Sequence, residues 1–329
     1  MATAVMTSKS LSLQFRKDLD KMFSQSFMQE PYMMGKVFKV QTAPAGAYYS
    51  RAEIAGLGMP SEIAEGASVS FDTTVEGFEK NRRYDVFGLG YVVTDLMIKD
   101  ERYGKIKQLP QSLARSMKIW IDLDAFRRFN EGSTGTNDYA KAKDGLNIFS
   151  THALLNPHAD VTATTSITNK SATQGDLSET TFAAAMEYFR DLVDEDGYPI
   201  IYNPRMLLVN SDDEYLAHRL HTQMYGGSYD GAGLEAQLTT SGSKENAHML
   251  NLANPRNGFV NGWQPLVTRW VDSDKWFMLA DNHDMGFYWK EQPTQESEKD
   301  FATGNWNYKA TMRYGAWCDE YRGIYGNLA

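Results

Sequence analysis

The sequence predicts an α+β protein with more than one packed unit. Two segments, residues 11–27 and 110–129, repeat apolar side chains at helical spacing. Between residues 44 and 101, glycine and proline are mixed with short stretches of alternating apolar and polar residues, which is typical of strands. Residues 263–281 and 304–326 alternate aromatic and β-branched residues with polar ones in the same way. At 329 residues and 42% hydrophobic content, the chain is long enough for two cores.

Composition excludes several classes of protein. The formal net charge of -9 argues against a protein that holds nucleic acid on a clustered basic face. Cys318 is the only cysteine, so an intrachain disulfide and a thiolate metal cage are excluded, and a reducing compartment is expected. No apolar run reaches about 18 residues and no secretory signal pattern is present, so we expect neither membrane insertion nor secretion.

The first helix is predicted over residues 11–27. Charged residues separate its apolar positions, which indicates an amphipathic helix. Its apolar positions are Leu11, Phe15, Leu19, Met22 and Phe23. Such a stripe indicates either a helix lying on the protein's own body or an arm that reaches a neighbouring subunit.

The stretch between residues 44 and 101 reads as a long two-stranded excursion. Its alternating segments include Val69-Ser70-Phe71 and Thr73-Thr74-Val75. A hairpin with this much glycine and charge is at best marginally stable alone in water. We therefore expect it to rest on another surface. Arg82 and Arg83, opposite Glu62 and Glu65, form either inter-subunit ion pairs or a solvated strand face.

A long helix is predicted over residues 110–129. Pro110 suits the first turn, where its missing N–H costs nothing. At 1.5 Å per residue the helix is roughly 30 Å long. The polar Gly/Ser/Thr loop that follows predicts a boundary near residue 150.

The middle of the chain is predicted to alternate helix and strand. The sequence Asp176-Leu177-Ser178-Glu179 is a capping-box start for a helix whose apolar stripe ends at Gly197, a suitable left-handed C-cap. Ser211 and Glu214 form a second capping box, opening another helix after a β-type run. Residues 225–250 are predicted to form a Gly-rich mobile loop. In the following β-rich part, Asp272-Ser273-Asp274 is predicted to turn between two strands.

No catalytic, cofactor-binding or metal-ligating residue is predicted. Asp194-Glu195-Asp196-Gly197 lacks the spacing of a calcium loop. Gly227-Ser228 lacks the closing glycine of a nucleophile elbow, and Gly88-Leu89-Gly90 lacks the third glycine of a dinucleotide fingerprint. The enzyme alternative is a metal-dependent hydrolase using Asp212, Glu214, His218 and His221, although no His-Glu-x-x-His pattern supports it. A soluble surface-layer or ligand-binding protein is the other alternative.

The order of these segments resembles that of the major capsid proteins of tailed bacteriophages, which share the Hong Kong 97-like fold. In detail it resembles the Mu-type major head subunit. The segments that carry the resemblance are "FEKNRRYDVFGLGYVVTDLMIKD" (78–100), "NIFSTHALLNP" (147–157), "TTFAAAMEYFRDLVDEDGYPIIYNPRMLLVNSDDEYLAHRL" (180–220), "VTRWVDSDKWFMLAD" (267–281) and "YKATMRYGAWCDEYRGIYGN" (308–327).

The resemblance implies a phage major capsid fold in five parts. They are an N-terminal arm (1–44), an extended two-stranded β loop lying over the adjacent subunit (45–96), a peripheral domain with the spine helix (97–150), an α/β axial domain (151–254) and a β-rich return to the peripheral domain (255–329). The loop at 225–250 is expected to point at the centre of a hexamer or pentamer. The arm matches no part of the family pattern.

The resemblance also implies a structural function. We expect no enzyme activity and no cofactor, but self-assembly into hexamers and pentamers of an icosahedral shell that encloses double-stranded DNA without reading its sequence. Implied partners are scaffolding and portal proteins, with decoration proteins as a further option. The expected location is the virion, assembled in the host cytoplasm.

Overall fold

The computed structural model describes most of the chain. The described residues are 8–29, 32–54, 56–60, 62–63, 65–66, 68–69, 71–74, 76–100, 103–154, 166–172, 175–225 and 262–328. Both helices and strands contribute, which confirms the predicted α+β class.

The helices of the described residues fall into a long N-terminal helix, a long central helix and several shorter ones. In chain order they are α1 (Ser8–Gln29), α2 (Met34–Val37), α3 (Asp95–Lys99), α4 (Tyr103–Ile106), α5 (Gln108–Asn130), α6 (Glu179–Arg190) and α7 (Glu214–Tyr225). The predicted helices at residues 11–27 and 110–129 are therefore confirmed as α1 and α5.

The described strands form two four-stranded and two two-stranded sheets. In chain order they are β1 (Lys39–Thr42), β2 (Tyr48–Ile54), β3 (Glu76–Arg83), β4 (Asp85–Val93), β5 (Thr151–Ala153), β6 (Ser166–Thr168), β7 (Pro204–Val209), β8 (Gln264–Val267), β9 (Lys275–Ala280), β10 (Met285–Lys299), β11 (Trp306–Cys318) and β12 (Ile324–Leu328).

The chain divides into two compact units, each assembled from separate stretches of sequence. The first unit comprises Met1–Ser50, Asn81–Phe126 and Met285–Trp317, and the second comprises Arg51–Lys80, Arg127–Asp284 and Cys318–Ala329. The first unit contains a sheet of order β1-β10-β11-β4, in which β1 runs parallel to β10 and β11 runs antiparallel to β4.

In the first unit, α5 buries one face along its length. The buried apolar residues on it recur at three- and four-residue steps, as the periodicity predicts. They are Leu113, Ala114, Met117, Ile121, Ala125 and Phe126. Asp122 on the same helix accepts hydrogen bonds from the backbone N–H groups of Met33 (3.3 Å) and Met34 (2.9 Å), and so caps α2, whose own N-cap residue Met33 supplies no side-chain cap.

The second unit is built on a sheet of order β12-β9-β7-β8. In β9, the residues from Trp276 to Ala280 are all buried, so this central strand is covered on both faces. The Phe277 ring packs 5.0 Å from the rings of both Phe129 and Phe149. A separate core cluster joins α6 to the sheet through residues that include Phe182, Met186, Phe189, Leu207 and Trp263.

The predicted helix boundaries in the second unit are partly wrong. Ser178, within the predicted start, is the N-cap of α6, with Thr181 completing the capping box. However, α6 ends at Arg190, because Leu192 and Val193 turn back to pair with Ile200 and Pro199. Gly197 does adopt a left-handed φ of 82°, but in the turn of this small loop and not at a helix end.

The predicted capping box at Ser211 and Glu214 is also wrong. The Asn210 side chain accepts a hydrogen bond from the N–H of Asp212, and a 3-10 turn over Ser211–Asp213 precedes α7. Asparagine is an equally good cap, so the sequence offers two adjacent candidates and the structure uses the earlier one.

The predicted two-stranded excursion at residues 44–101 contains three strands, and none of them lies at the predicted positions. β2 and β3 pair with each other and β4 pairs with β11, whereas the described residues of 68–74 belong to no strand. Val69 and Phe71 are largely exposed, so little apolar burial favours a strand there. The predicted turn at Asp272 to Asp274 is confirmed just before β9.

The mobile loop is predicted at residues 225–250. Tyr225 is the last residue of α7, and residues 226–250 lie outside the described part of the chain. Among the residues that the structure describes, no helix has the length and apolar character needed to cross a membrane.

Candidate functional site

The part of the excursion that comprises β2, β3 and the described residues between them presents apolar side chains to solvent. Between the strands lie several exposed large hydrophobic residues, namely Leu57, Met59, Ile63, Val69 and Phe71. Phe71 is 96% exposed. Asp72 links the two sides of this segment by accepting hydrogen bonds from the N–H groups of Gly58 and Thr73, each at 2.8 Å. Several large apolar side chains exposed within one segment indicate a site of interaction with another molecule.

The turn between β10 and β11 presents another exposed aromatic ring. Phe301 is fully exposed there. The Asp300 side chain accepts hydrogen bonds from the Ala302 N–H (3.0 Å) and the Thr303 hydroxyl (2.6 Å), and Gly304 has a left-handed φ of 73°. These bonds fix the turn, so Phe301 is held outward by a structured loop.

The edge strand β4 adds a third apolar surface. Val86 and Val92 are exposed on one face of β4, and Leu89 is exposed on the other face, because successive side chains of a strand alternate. On the face of Leu89 lies a pocket of about 310 Å³ whose lining also includes Phe87, Met117, Trp120 and Met312. An exposed edge strand has unpaired backbone groups along one side, which suits it to contact with another chain.

A buried charge cluster lies where β2 meets the body of the second unit. It consists of Glu53, Lys143, Glu195, Glu320 and Arg322. The Lys143 Nζ contacts Glu320 Oε2 at 2.7 Å and Glu195 Oε1 at 3.2 Å, and it also pairs with Glu53. The guanidinium of Arg322 bonds Glu195 Oε1 at 2.5 Å and Glu320 Oε1 at 2.9 Å. Buried charges are stable only when paired in this way.

Burial and ion pairing shift the pKa values of two carboxyl groups in the charge cluster. Burial, reinforced by the hydrogen bond to Glu195, raises the pKa of Glu53 to about 7, although Lys143 acts against this. Burial also disfavours the charged form of Glu195, but the hydrogen bond from Glu53 and the charges of Arg322 and Lys143 lower its pKa to about 2. One carboxyl of the pair therefore holds a proton in conditions where the other is ionised.

A buried pair formed by His152 and Asp144 lies next to the charge cluster. The His152 Nδ1 lies 2.7 Å from Asp144 Oδ2, and its Nε2 lies 3.2 Å from the Ile148 carbonyl oxygen. The imidazole stacks on Tyr321 with ring centroids 3.8 Å apart. Against the effect of burial, the hydrogen bond and the electrostatic attraction of His152 lower the pKa of Asp144. The pair fixes Tyr321, whose ring also lies 5.4 Å from the Lys143 Nζ.

Comparison with known proteins identifies the family. A sequence model of the family described as phage capsid protein matches residues 83–327, well over half of the chain. This chain belongs to the phage capsid protein family. It is therefore a shell-forming structural protein of the virion and not an enzyme, which confirms the function implied by the order of its segments. No curated protein matches the capsid chain at a significant level.

Solved capsid structures have a similar fold. The capsid of Cyanophage P-SCSP1u aligns with a TM-score of 0.55 at 9% identity, covering 92% of this chain and 89% of that chain. The capsid of an empty GTA particle aligns with a TM-score of 0.51 at 11% identity, covering 92% of each chain. A virus-like particle from Pyrococcus furiosus aligns with a TM-score of 0.50 at 10% identity, covering 95% of this chain and 98% of that chain. At such low identities the likeness shows the fold, and it confirms the predicted phage major capsid fold.

The residues of the hydrolase alternative form the start and the surface of α7. Asp212, Glu214 and His218 are exposed, and His221 packs edge-on against Trp263 with ring centroids 5.1 Å apart. Burial, with a smaller effect from His218, lowers the pKa of His221. Within the described part of the capsid chain, no three ligand-type side chains are grouped so as to hold a metal ion.

Local spacing does not predict most of the charge cluster. It places Glu195, within Asp194-Glu195-Asp196-Gly197, at the end of a helix, whereas Glu195 and Asp196 are both buried. Glu320 and Arg322 lie among the aromatic residues Trp317, Tyr321 and Tyr325, and charged residues in such surroundings are a signal of buried pairing. No comparable signal distinguishes Glu53 or Lys143.

Both alternatives predicted for Arg82, an inter-subunit ion pair and a solvated strand face, are wrong. Its side chain is buried, with the guanidinium 5.8 Å from the centre of the Trp317 ring. Arg83, Glu62 and Glu65 are exposed. Of the two arginines, only Arg83 is available to a neighbouring molecule.

Proposed function

We propose that this chain is the major capsid subunit of a tailed phage, forming the hexamers and pentamers of an icosahedral shell around double-stranded DNA. The observation that best supports this proposal is the set of exposed apolar side chains in the excursion, above all Phe71. Covering a large apolar side chain stabilises a complex by about 1.5–3 kcal/mol. A chain that leaves several such residues uncovered is suited to being completed by other copies of itself.

The energetics of a shell fit such a surface. A standard interface buries about 800 Å² on each partner, and many identical contacts closed into one shell act together. Individual contacts can then be weak, while the assembled particle is stable. The exposed edge of β4 and the turn at Phe301 offer further contact surfaces.

The roles of the segments belong to the same proposal. Residues 1–44 act as the N-terminal arm, 45–96 as the extended loop over the adjacent subunit, and 97–150 as the peripheral domain with the spine helix α5. Residues 151–254 act as the axial domain, whose loop at 225–250 points at the capsomer centre, and residues 255–329 return to the peripheral domain. The exposed large apolar residues within 45–96 support the role given to the extended loop.

Partners and place of assembly follow from the same role. We include scaffolding and portal proteins, with decoration proteins as a further option, and assembly in the host cytoplasm. The reduced, buried thiol of Cys318 is compatible with a reducing compartment. The net charge of -9 suits a wall that does not retain the DNA it encloses through strong phosphate contacts.

Size-exclusion chromatography followed by negative-stain microscopy tests the proposal. The full-length chain is expressed alone and together with the scaffolding protein of its phage. We expect closed shells, tubes or six-fold rings in at least one preparation. A monodisperse monomer in both preparations, at concentrations up to the millimolar range, contradicts the proposed assembly.

A further inference from the structure

Glu53 is the one member of the charge cluster that the excursion contributes. It lies in β2, directly before the exposed residues of the excursion. Lys143 follows α5, Glu195 follows α6, and Glu320 and Arg322 lie between β11 and β12. The pairing of Glu53 with Lys143 and Glu195 therefore connects the base of the excursion to the body of the second unit.

The charges in this cluster do not balance. It holds three carboxyl groups and two cations, with side-chain exposures of 13% for Glu53, 5% for Glu195 and 21% for Glu320. Glu53 and Glu195 also hydrogen-bond to each other through their carboxyl groups. Such a bond needs one proton between the two groups, because two carboxylates can only accept.

We propose that the charge cluster is a proton-dependent latch, which holds the base of β2 against the body of the second unit while Glu53 is protonated and releases it when Glu53 ionises. Ionisation removes the hydrogen bond between the two carboxyl groups. It also puts a third carboxylate into a buried cluster that holds only two cations, which is unfavourable. The strand can relieve both effects by moving Glu53 into water.

The surroundings of Glu53 favour release over recapture by another cation. Its direct partners are Lys143 and Glu195, and Lys143 is already shared with Glu320. Arg322 is occupied by Glu195 and Glu320. The other charged groups around the adjacent cavity are Arg51, which pairs with Asp284, Lys80, which pairs with Asp138, and the additional acid Asp319.

The pH range follows from the sign of the shift. In the latched state the pKa of Glu53 is raised from its ordinary value of 4.5 to about 7. The latch is therefore fully formed below pH 4.5 as far as this group is concerned, weakens as pH rises, and reaches its lowest stability above about pH 7. Between these limits one proton is lost on opening, so the opening equilibrium increases about tenfold per pH unit.

Hydrogen–deuterium exchange of the peptide that covers β2 tests the latch. The full-length chain is measured at pH 5, 6, 7 and 8, with rates corrected for the intrinsic pH dependence of amide exchange and with its assembly state checked by light scattering. We expect protection of β2 to fall about tenfold per unit from pH 5 to pH 7 and to level off by pH 8. A peptide from α6 serves as the internal reference.

Two variants make the test specific. Glu53→Gln keeps the shape of the protonated carboxyl and donates a hydrogen bond at every pH, so its protection should not change with pH. Glu65→Gln, at an exposed position of the same excursion, should keep the wild-type profile. Protection of wild-type β2 that is independent of pH overturns the proposal, as does a Glu53→Gln profile equal to wild type. If Glu53→Gln does not fold, the wild-type profile alone decides.

Discussion

At the residue scale, Gly326 shows how closely the second unit is packed. A Cβ atom at this position of β12 would lie 2.7 Å from the Phe149 ring, and that ring is backed by Phe277. Gly326→Ala is expected to destabilise the chain by about 1–3 kcal/mol, because neither ring has room to move. Thermal unfolding followed by scanning fluorimetry measures this as a fall in Tm of about 2–4 °C per kcal/mol.

Gly175→Ala is the matched control for that change. A Cβ at Gly175 meets no atom within 4 Å, so its Tm should stay close to that of the wild type. Equal Tm values for the two alanine variants would contradict the packing described around β12.

The low pKa of Glu195 leads to a prediction about the stability of the fold in acid. Its folded pKa of about 2 lies below its ordinary value of 4.5, so its contribution to stability is present above pH 4.5 and is lost as pH falls toward 2. Removing one partner of a buried ion pair costs about 3–5 kcal/mol. Glu195→Gln should therefore lower the Tm at pH 6 and flatten the decline in Tm between pH 5 and pH 3. A decline as steep as in the wild type would show that Glu195 is not the group responsible.

The structural roles of individual charged residues are the least predictable feature of the sequence. The acids from Asp212 to Glu214 were correctly interpreted as belonging to a helix start, since local hydrogen bonds to nearby backbone decide their role. Glu53, Lys143 and Glu320 meet from positions far apart in the chain. Nothing in local spacing encodes such a meeting, because the fold alone brings these side chains together.

At the scale of elements, the excursion makes the clearest prediction. Phe71→Ser should leave the free energy of unfolding of the unassembled chain within about 0.5 kcal/mol of wild type, since Phe71 is almost fully exposed within its own chain. Assembly should weaken at least tenfold, because each subunit loses about 1.5–3 kcal/mol of apolar contact. Sedimentation of the particle fraction at a series of protein concentrations measures this change.

Phe71→Leu is the control, since it retains most of the apolar area and should assemble nearly as wild type. Phe71→Ser particles that form at the wild-type concentration would remove Phe71 from the contact surface.

Elements with a strong internal signal were predictable, and those that depend on other parts of the chain were not. α5 follows from its apolar periodicity and its Pro110, both local properties. The strands of the excursion were expected at residues 69–75 from alternation, yet β2 and β3 lie to either side. A strand forms where a partner is available to pair with it, and alternation does not encode which segments are partners.

At the scale of the whole molecule, the order of segments was more informative than any motif. The family match over residues 83–327 confirms what that order implied. The sequence predicts one β-rich return in the last part of the chain, whereas β12 pairs with β9 and β11 pairs with β4 in the other sheet. A change of sheet between consecutive strands has no local signature, since both strands show the same alternation.

We propose that copies of this chain complete one another's exposed apolar surfaces in a closed shell. Cryo-electron microscopy of particles assembled from the full-length chain tests this through the environment of Phe71 in the reconstruction. We expect five-fold and six-fold positions in a closed shell, with Phe71 buried against a different copy. A closed shell in which Phe71 remains exposed, or a chain that stays monomeric under all assembly conditions, would contradict it.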